Sequence, residues 1–385
     1  MQYVFILGHN PKLSAAEILA VLPQAKVIKE TGSFLVLENE PIDAVAVLAR
    51  LGGTIKIGEI IANQISKKVT IEKLKQIKQE NKLNFGISYY DTKPDNLGME
   101  IKKELKAAGV SCRLVTSKDK ALSSVIVSKN KCAEFLVLSN RYLGQTLAVQ
   151  EFEEYSKRDY GRPVRDMLSG SMPPKLAKIM INLGQVLAGA TILDPFCGSG
   201  TVVQEGLLLG YRMVGSDISE KAVRDSKQNL EWLLKSSNFP ARGGSAFGGK
   251  VQMSNEIQIS KSKFQIFQAD VREVSKFVEG VDAVVTEPHL GPALRGKESE
   301  REIRKVVDEL SELYLSAFRE FKKILNFNAK VVIVFPAFRL GRQMIELPIL
   351  EEIKKMGFTQ VNKDKLIYSR EGQKVWRQIY IFQSR

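Results

Sequence analysis

Residues 191–209, TILDPFCGSGTVVQEGLLL, constrain the fold more than any other stretch. A short apolar run that suits a buried strand enters a turn carrying Gly198 and Gly200, and an apolar helical pattern begins at Thr201. A strand that feeds a helix through so tight a turn is the first half of a βαβ unit, and such units build parallel sheets covered on both faces. The C-terminal half keeps that alternation. PPKLAKIMINLGQVL is expected as a helix opened by proline, MVGSD as a strand, SEKAVRDSKQNLEWLLK as a helix capped by Ser219, and KFQIFQAD and VDAVVTE as strands. A long helix from about Glu298 leads to the strand AKVVIVF, and FTQVNKDKLIYSR with KVWRQIYIFQ reads as an antiparallel hairpin closing the sheet. Residues 238–263, rich in Gly, Ser and polar residues, read as a flexible insert.

Glycine-rich turns serve several ligand classes, because they let backbone N–H groups approach closely. A Walker loop needs Lys and then Ser or Thr after its last glycine, but Thr201 and Val202 follow Gly200. A dinucleotide fingerprint needs Gly or Ala where Val203 stands. Asp194 lies just ahead of the glycines. A carboxylate there would repel a phosphate and attract a ligand carrying ammonium and sulfonium charge.

Residues 1–64 read as strand, helix, two strands, helix, strand, the order of a ferredoxin-like sandwich. A second α/β module is expected over residues 65–150, with TIEKLKQIKQE and GMEIKKELKAAG as helices and NFGISYY, SCRLV, LSSVIV, AEFLVL and TLAVQ as strands. Residues 151–170 are dense in charge and contain Gly161-Arg162-Pro163, so they read as a linker, and residues 171–385 form the sheet described above.

At 385 residues the chain fits two or three domains. Cys112, Cys132 and Cys197 lie too far apart for a zinc or disulfide pattern, and with only His9 and His289 besides, no metal is expected. No apolar run spans a bilayer and the opening residues lack the features of a signal peptide, which places the expected monomer in the cytoplasm with no membrane partner. The net charge of +14 implies a polyanionic partner only weakly. Its distribution says more, because residues 61–131 hold 15 Lys and Arg against 7 Asp and Glu. That excess suits either a solvated lysine-rich surface or a phosphate-binding face. Tyr155, Tyr160 and Arg162 of the linker are further candidates for contact with a polyanionic partner.

Asp194-Pro195-Phe196-Cys197-Gly198-Ser199-Gly200-Thr201 resembles the cofactor loop of S-adenosylmethionine-dependent amino-methyltransferases. The resemblance implies that Asp217, with Ile218 beside it, binds the ribose hydroxyls of that cofactor, and that Asp270 and Val271 meet its adenine. Nearly the whole chain is similar to the tRNA guanine-N2-methyltransferases that modify guanosine 10. LGHNPKLSAAEI looks like their opening, and RPVRDMLSGSMPPKLAKIMINL like their linker and following helix. The implied architecture is a ferredoxin-like domain, a THUMP RNA-binding domain and a Rossmann-like methyltransferase with a seven-stranded, mostly parallel sheet. The N-terminal modules would bind tRNA.

The same resemblance singles out AVVTEPHLGP, residues 283–292, where the family carries Asp or Asn, Pro, Pro and an aromatic residue. There the carboxylate or amide accepts a hydrogen bond from the exocyclic amine, and the ring stacks on the extruded base. Thr286, Glu287, Pro288 and His289 fill those places here. Glu287, displaced by one position, is expected as the acceptor and His289 as the stacking face. The departure leaves two alternatives open: an RNA-binding protein with an inactive methyltransferase fold, and a methyltransferase acting on another RNA or DNA amine.

Overall fold

Period-two alternation organises the N-terminal sheet. Tyr3, Phe5 and Leu7 of β1 (Gln2–Leu7) join one buried cluster, while Val4 and Ile6 join another on the opposite face. This computed structural model describes residues 1–385 except 78–81, 166–171, 236–243, 246–260, 295 and 371. It divides into two compact units, Met1–Tyr155 with Ala241–Asn255, and Ser156–Pro240 with Glu256–Arg385.

In the first unit, β1, α1 (Pro11–Val21), β2 (Lys26–Glu30), β3 (Phe34–Glu38), α2 (Ala44–Arg50) and β4 (Thr54–Ala62) follow the βαββαβ order. Their strands lie β2-β3-β1-β4, every neighbour antiparallel, as in a ferredoxin-like sandwich. The chain continues through α3 (Lys67–Gln76), β5 (Leu83–Tyr90), α4 (Leu97–Ala107), β6 (Cys112–Leu114), α5 (Ser124–Lys129), β7 (Ala133–Leu138) and β8 (Tyr142–Val149). These strands extend the same sheet in the order β4-β8-β7-β5-β6. Lys56 of β4 and Glu134 of β7 are both buried, with Nζ 2.5 Å from Oε1. The Ser88 and Thr146 hydroxyls also donate to that carboxylate, and the Leu122 carbonyl accepts from Lys56. A buried pair is tolerable only when its remaining polar capacity is met in this way.

Two sequence expectations change here. LSSVIV is not a strand: α5 begins inside it, because the Ser123 hydroxyl accepts from Ile126 N and caps a helix. The expected linker contains α6 (Phe152–Tyr160), and two of its arginines are buried. Arg158 pairs with Glu205 at 2.6 Å and Arg162 donates to the Thr201 hydroxyl at 2.6 Å, while Tyr155 is buried and donates to the Leu51 carbonyl. Tyr160 is exposed, with the Arg165 guanidinium over its ring.

The second unit runs α7 (Pro174–Leu183), β9 (Thr191–Asp194), α8 (Thr201–Leu208), β10 (Arg212–Asp217) and α9 (Glu220–Lys235). Of the insert, β11 (Gly244–Ser245) pairs with β8 of the first sheet, residues 261–263 form a 3-10 turn, and the rest lies outside the described residues. Then come β12 (Phe264–Gln268), β13 (Val281–Thr286), α10 (Glu300–Ile324), β14 (Leu325–Leu340), β15 (Gln343–Glu346), α11 (Leu350–Lys355), β16 (Phe358–Gln360), β17 (Leu366–Tyr368) and β18 (Val375–Ser384). The main path is β12-β10-β9-β13-β14-β18-β16, with β15 and β17 beside it. Its first five strands are parallel, and β18 runs antiparallel to β14 and β16. Strand order reverses between β9 and β13, and ligands of such sheets bind beyond the strand ends at that reversal. Among the described residues no helix is long and apolar enough to cross a membrane.

Candidate active site

The turn after β9 is shaped by two left-handed glycines. Gly198 has φ 50° and Gly200 φ 85°. A Cβ on Gly200 would lie 2.5 Å from the Ser226 hydroxyl, so only glycine lets the loop pack on α9. A Cβ on Gly198 would meet nothing within 4 Å, because that residue faces open space. The space is a cavity of about 690 Å³. Of the sequence-predicted residues, Asp194, Pro195, Phe196, Cys197, Gly198, Ser199, Thr201, Asp217, Ile218, Asp270, Val271, Glu287, Pro288 and His289 all line it. Gly200 and Thr286 do not: the first backs onto α9 and the second turns inward.

The carboxylates around the cavity differ in environment. Asp194 is buried at 2% exposure; the Thr286 hydroxyl donates to its Oδ1 at 2.6 Å and Phe196 N at 3.3 Å. Burial holds its carboxyl up at about 7, the donors opposing that rise and the charges of Asp217 and Glu287 adding to it. Asp217 accepts from Gly198 N at 3.0 Å through Oδ2 and from Ser219 N at 2.9 Å through Oδ1, which fixes its carboxylate at the rim. Each oxygen keeps further acceptor capacity. Asp270 accepts from Arg272 N at 2.9 Å and forms an ion pair with the Arg272 guanidinium, whose hydrogen bonds hold its carboxyl below the usual range. Burial pushes the Cys197 thiol well up, leaving it inert.

At the end of β13 the corner sorts its residues by direction. Thr286 is wholly buried against Asp194, so Glu287 is the first residue of the corner to face the cavity. Glu287 does not stand free. Arg377 of β18 grips it with Nε 2.5 Å from Oε2 and Nη2 3.0 Å from Oε1. His289 is exposed, and its backbone carbonyl accepts from the buried Tyr314 hydroxyl at 3.2 Å. Arg377, Gln373 and Val375 also line the cavity, and the sequence reading missed all three. For Arg377 a signal existed: a charged residue within the closing strand, between Val375-Trp376 and the apolar run Ile379-Tyr380-Ile381-Phe382.

The carboxylates of Asp194, Asp217 and Asp270, a glycine-backed rim and a cavity of this size fit a ligand with a cationic amino-acid end, a ribose and a purine; they suit a pyrophosphate poorly. The seven-stranded path with its antiparallel β18 defines a class I, Rossmann-like methyltransferase fold. Crystallised TrmN from Thermus thermophilus shares it across all of both chains, with a TM-score of 0.53 at 16% identity. The family pattern described as RMKL-like, methyltransferase domain, matches residues 162–368, more than half of the chain, and the chain belongs to that family. A second pattern, described as DNA methylase, matches residues 53–228. A tRNA (guanine(10)-N2)-dimethyltransferase of Methanothermobacter thermautotrophicus is 32% identical over 45% of this chain. One from Pyrococcus abyssi is 26% identical over 60% of this chain and 68% of its own length. The chain spans less than half, 44%, of the length of the Methanothermobacter relative.

Proposed function

We propose that this protein transfers a methyl group from S-adenosylmethionine to the exocyclic N2 amine of a guanosine in tRNA, at position 10 as in the relatives' names. The observation that carries the reading is that one cavity brings Glu287 together with the glycine loop and with Asp194, Asp217 and Asp270. When bound, the donor supplies an electrophilic methyl on a sulfonium: the amine nitrogen forms the N–C bond as the C–S bond breaks, and the amine proton passes to solvent. The chain's part is positioning and electrostatics. Asp217 holds the ribose hydroxyls, Asp270 and Val271 meet the purine, and Asp194 offers negative charge to the cationic end. Glu287 accepts from the amine N–H, and the exposed His289 ring stacks on the extruded base. Residues 65–150 act as a THUMP domain that binds tRNA with residues 1–64, and the working form is a cytoplasmic monomer.

A second reading, an RNA-binding protein without turnover, is favoured by one feature: the ion pair that occupies Glu287. Nucleoside mass spectrometry of bulk tRNA from cells with and without the protein separates the two. Loss of an N2-methylated guanosine on deletion supports methyl transfer, and unchanged nucleosides support the binder.

A further inference from the structure

We propose that Arg377 is a positioning residue that holds the Glu287 carboxylate at the place where the target amine docks; this rests on the methyltransferase reading above. The two residues come from distant parts of the sequence, and their side chains are only 10% and 13% exposed. Arg377 lies on β18, opposite Pro336 of β14 and Tyr368 of β17, so strand pairing on both sides fixes its backbone. The guanidinium engages each carboxylate oxygen once, in the planar fork that matches a carboxylate. Each oxygen has two lone-pair directions. The fork therefore fixes the plane of the carboxylate and leaves acceptor capacity for an amine, in a cavity that both residues line.

Two further considerations favour positioning over packing. Glutamate carries one more rotatable bond than aspartate, so an acceptor built on it needs outside restraint to stay in one geometry. The Glu287 charge is felt by the Asp194 carboxyl, the Tyr314 hydroxyl and the Arg377 guanidinium, and of these three the guanidinium alone is cationic. Arg377 supplies the positive charge that an anion in this setting requires.

The test is a double-mutant cycle read by single-turnover methylation of unmodified tRNA at saturating donor. It uses the full-length wild type, Arg377→Met, Glu287→Ala and the double variant, with thermal unfolding and calorimetric donor affinity for each. Arg377→Met is expected to lower the rate by roughly 10- to 100-fold with donor affinity within about twofold. In the Glu287→Ala background it should cost nothing further. Arg377→Lys, which keeps the charge and loses the fork, should lie between and serves the same cycle if Arg377→Met unfolds. An equal loss in both backgrounds would show that Arg377 acts without Glu287 and overturn the proposal, as would a wild-type rate in Arg377→Met and Arg377→Lys. A wild type that methylates no amine would overturn the functional reading, and this inference with it.

Discussion

Asp194 ends β9, Glu287 follows the neighbouring β13, and both carboxylates line one cavity, yet the fold treats them in opposite ways. Asp194 is more deeply buried, and among the described residues it accepts from a hydroxyl and a backbone N–H rather than from a cation. Glu287 is gripped on both oxygens by an arginine. A carboxyl kept from ionising by burial gains most when a cation arrives, which suits a residue awaiting a sulfonium ligand. A carboxylate whose charge is already balanced gains little from a cation but is held in a fixed orientation, which suits an acceptor for a neutral amine. Under the proposed function the glycine loop binds the donor and the β13 corner orients the amine.

The largest effect expected falls on the orienting side. Glu287→Ala should cut the single-turnover methylation rate by on the order of 10²-fold or more while donor and tRNA affinities hold, because the lost hydrogen bond matters in the transition state. Weaker donor binding with an unchanged rate would merge the two roles and dissolve the contrast. On the binding side, Asp217→Ala should weaken donor affinity by about 1.5–3 kcal/mol, from lost charge-assisted hydrogen bonds, as read by calorimetry. Equal affinity for both proteins would remove the ribose assignment.

Thr286→Val tests which way the corner faces. It removes the donor to Asp194 at nearly constant volume and should lower stability by about 1–3 kcal/mol in denaturant unfolding at pH 8. If instead it abolished methylation at full stability, Thr286 would be facing the substrate and Glu287 would not be the first residue of the corner. The smallest effect concerns Asp194 itself. Its carboxyl stands at about 7 in the folded protein, against about 3.9 in an unfolded chain. The native state therefore binds that proton more tightly. The group costs nothing below the lower value, its penalty grows as pH rises toward 7, and it is complete above. Asp194→Asn should raise unliganded stability at pH 8 by about 1 kcal/mol, and by less at pH 5, in paired denaturant titrations. A gain equal at both pH values would show that Asp194 titrates normally.

What the sequence made legible follows the range of the interactions involved. The strand, glycine turn and helix of residues 191–208 are specified by neighbours, so the βαβ unit and its loop could be read directly. The ferredoxin-like order of the first four strands was equally local. The corner after β13 was legible in kind but not in direction. Thr286 points inward because its partner Asp194 lies 92 residues away, and Glu287 is restrained by Arg377, 90 residues away. The motif includes Thr286, and its inward direction depends on a contact that spacing cannot reveal. Charge misled in the same manner at residues 151–165. Lys157, Arg158 and Arg162 looked like a solvated linker, but Arg158 and Arg162 are buried, bonded to Glu205 and Thr201 of α8. At α5 the β-branched run VIV suggested a strand, and the Ser123 cap prevailed.

The most direct measurement incubates the purified full-length protein with an unmodified tRNA transcript and S-adenosylmethionine, then digests the RNA and identifies its nucleosides by mass spectrometry. Guanosine methylated on N2 is expected with the wild type and almost none with Glu287→Ala under the same conditions. A wild type that binds both ligands and yields no methylated nucleoside, or one that places the methyl on a different base atom, would contradict the proposed function.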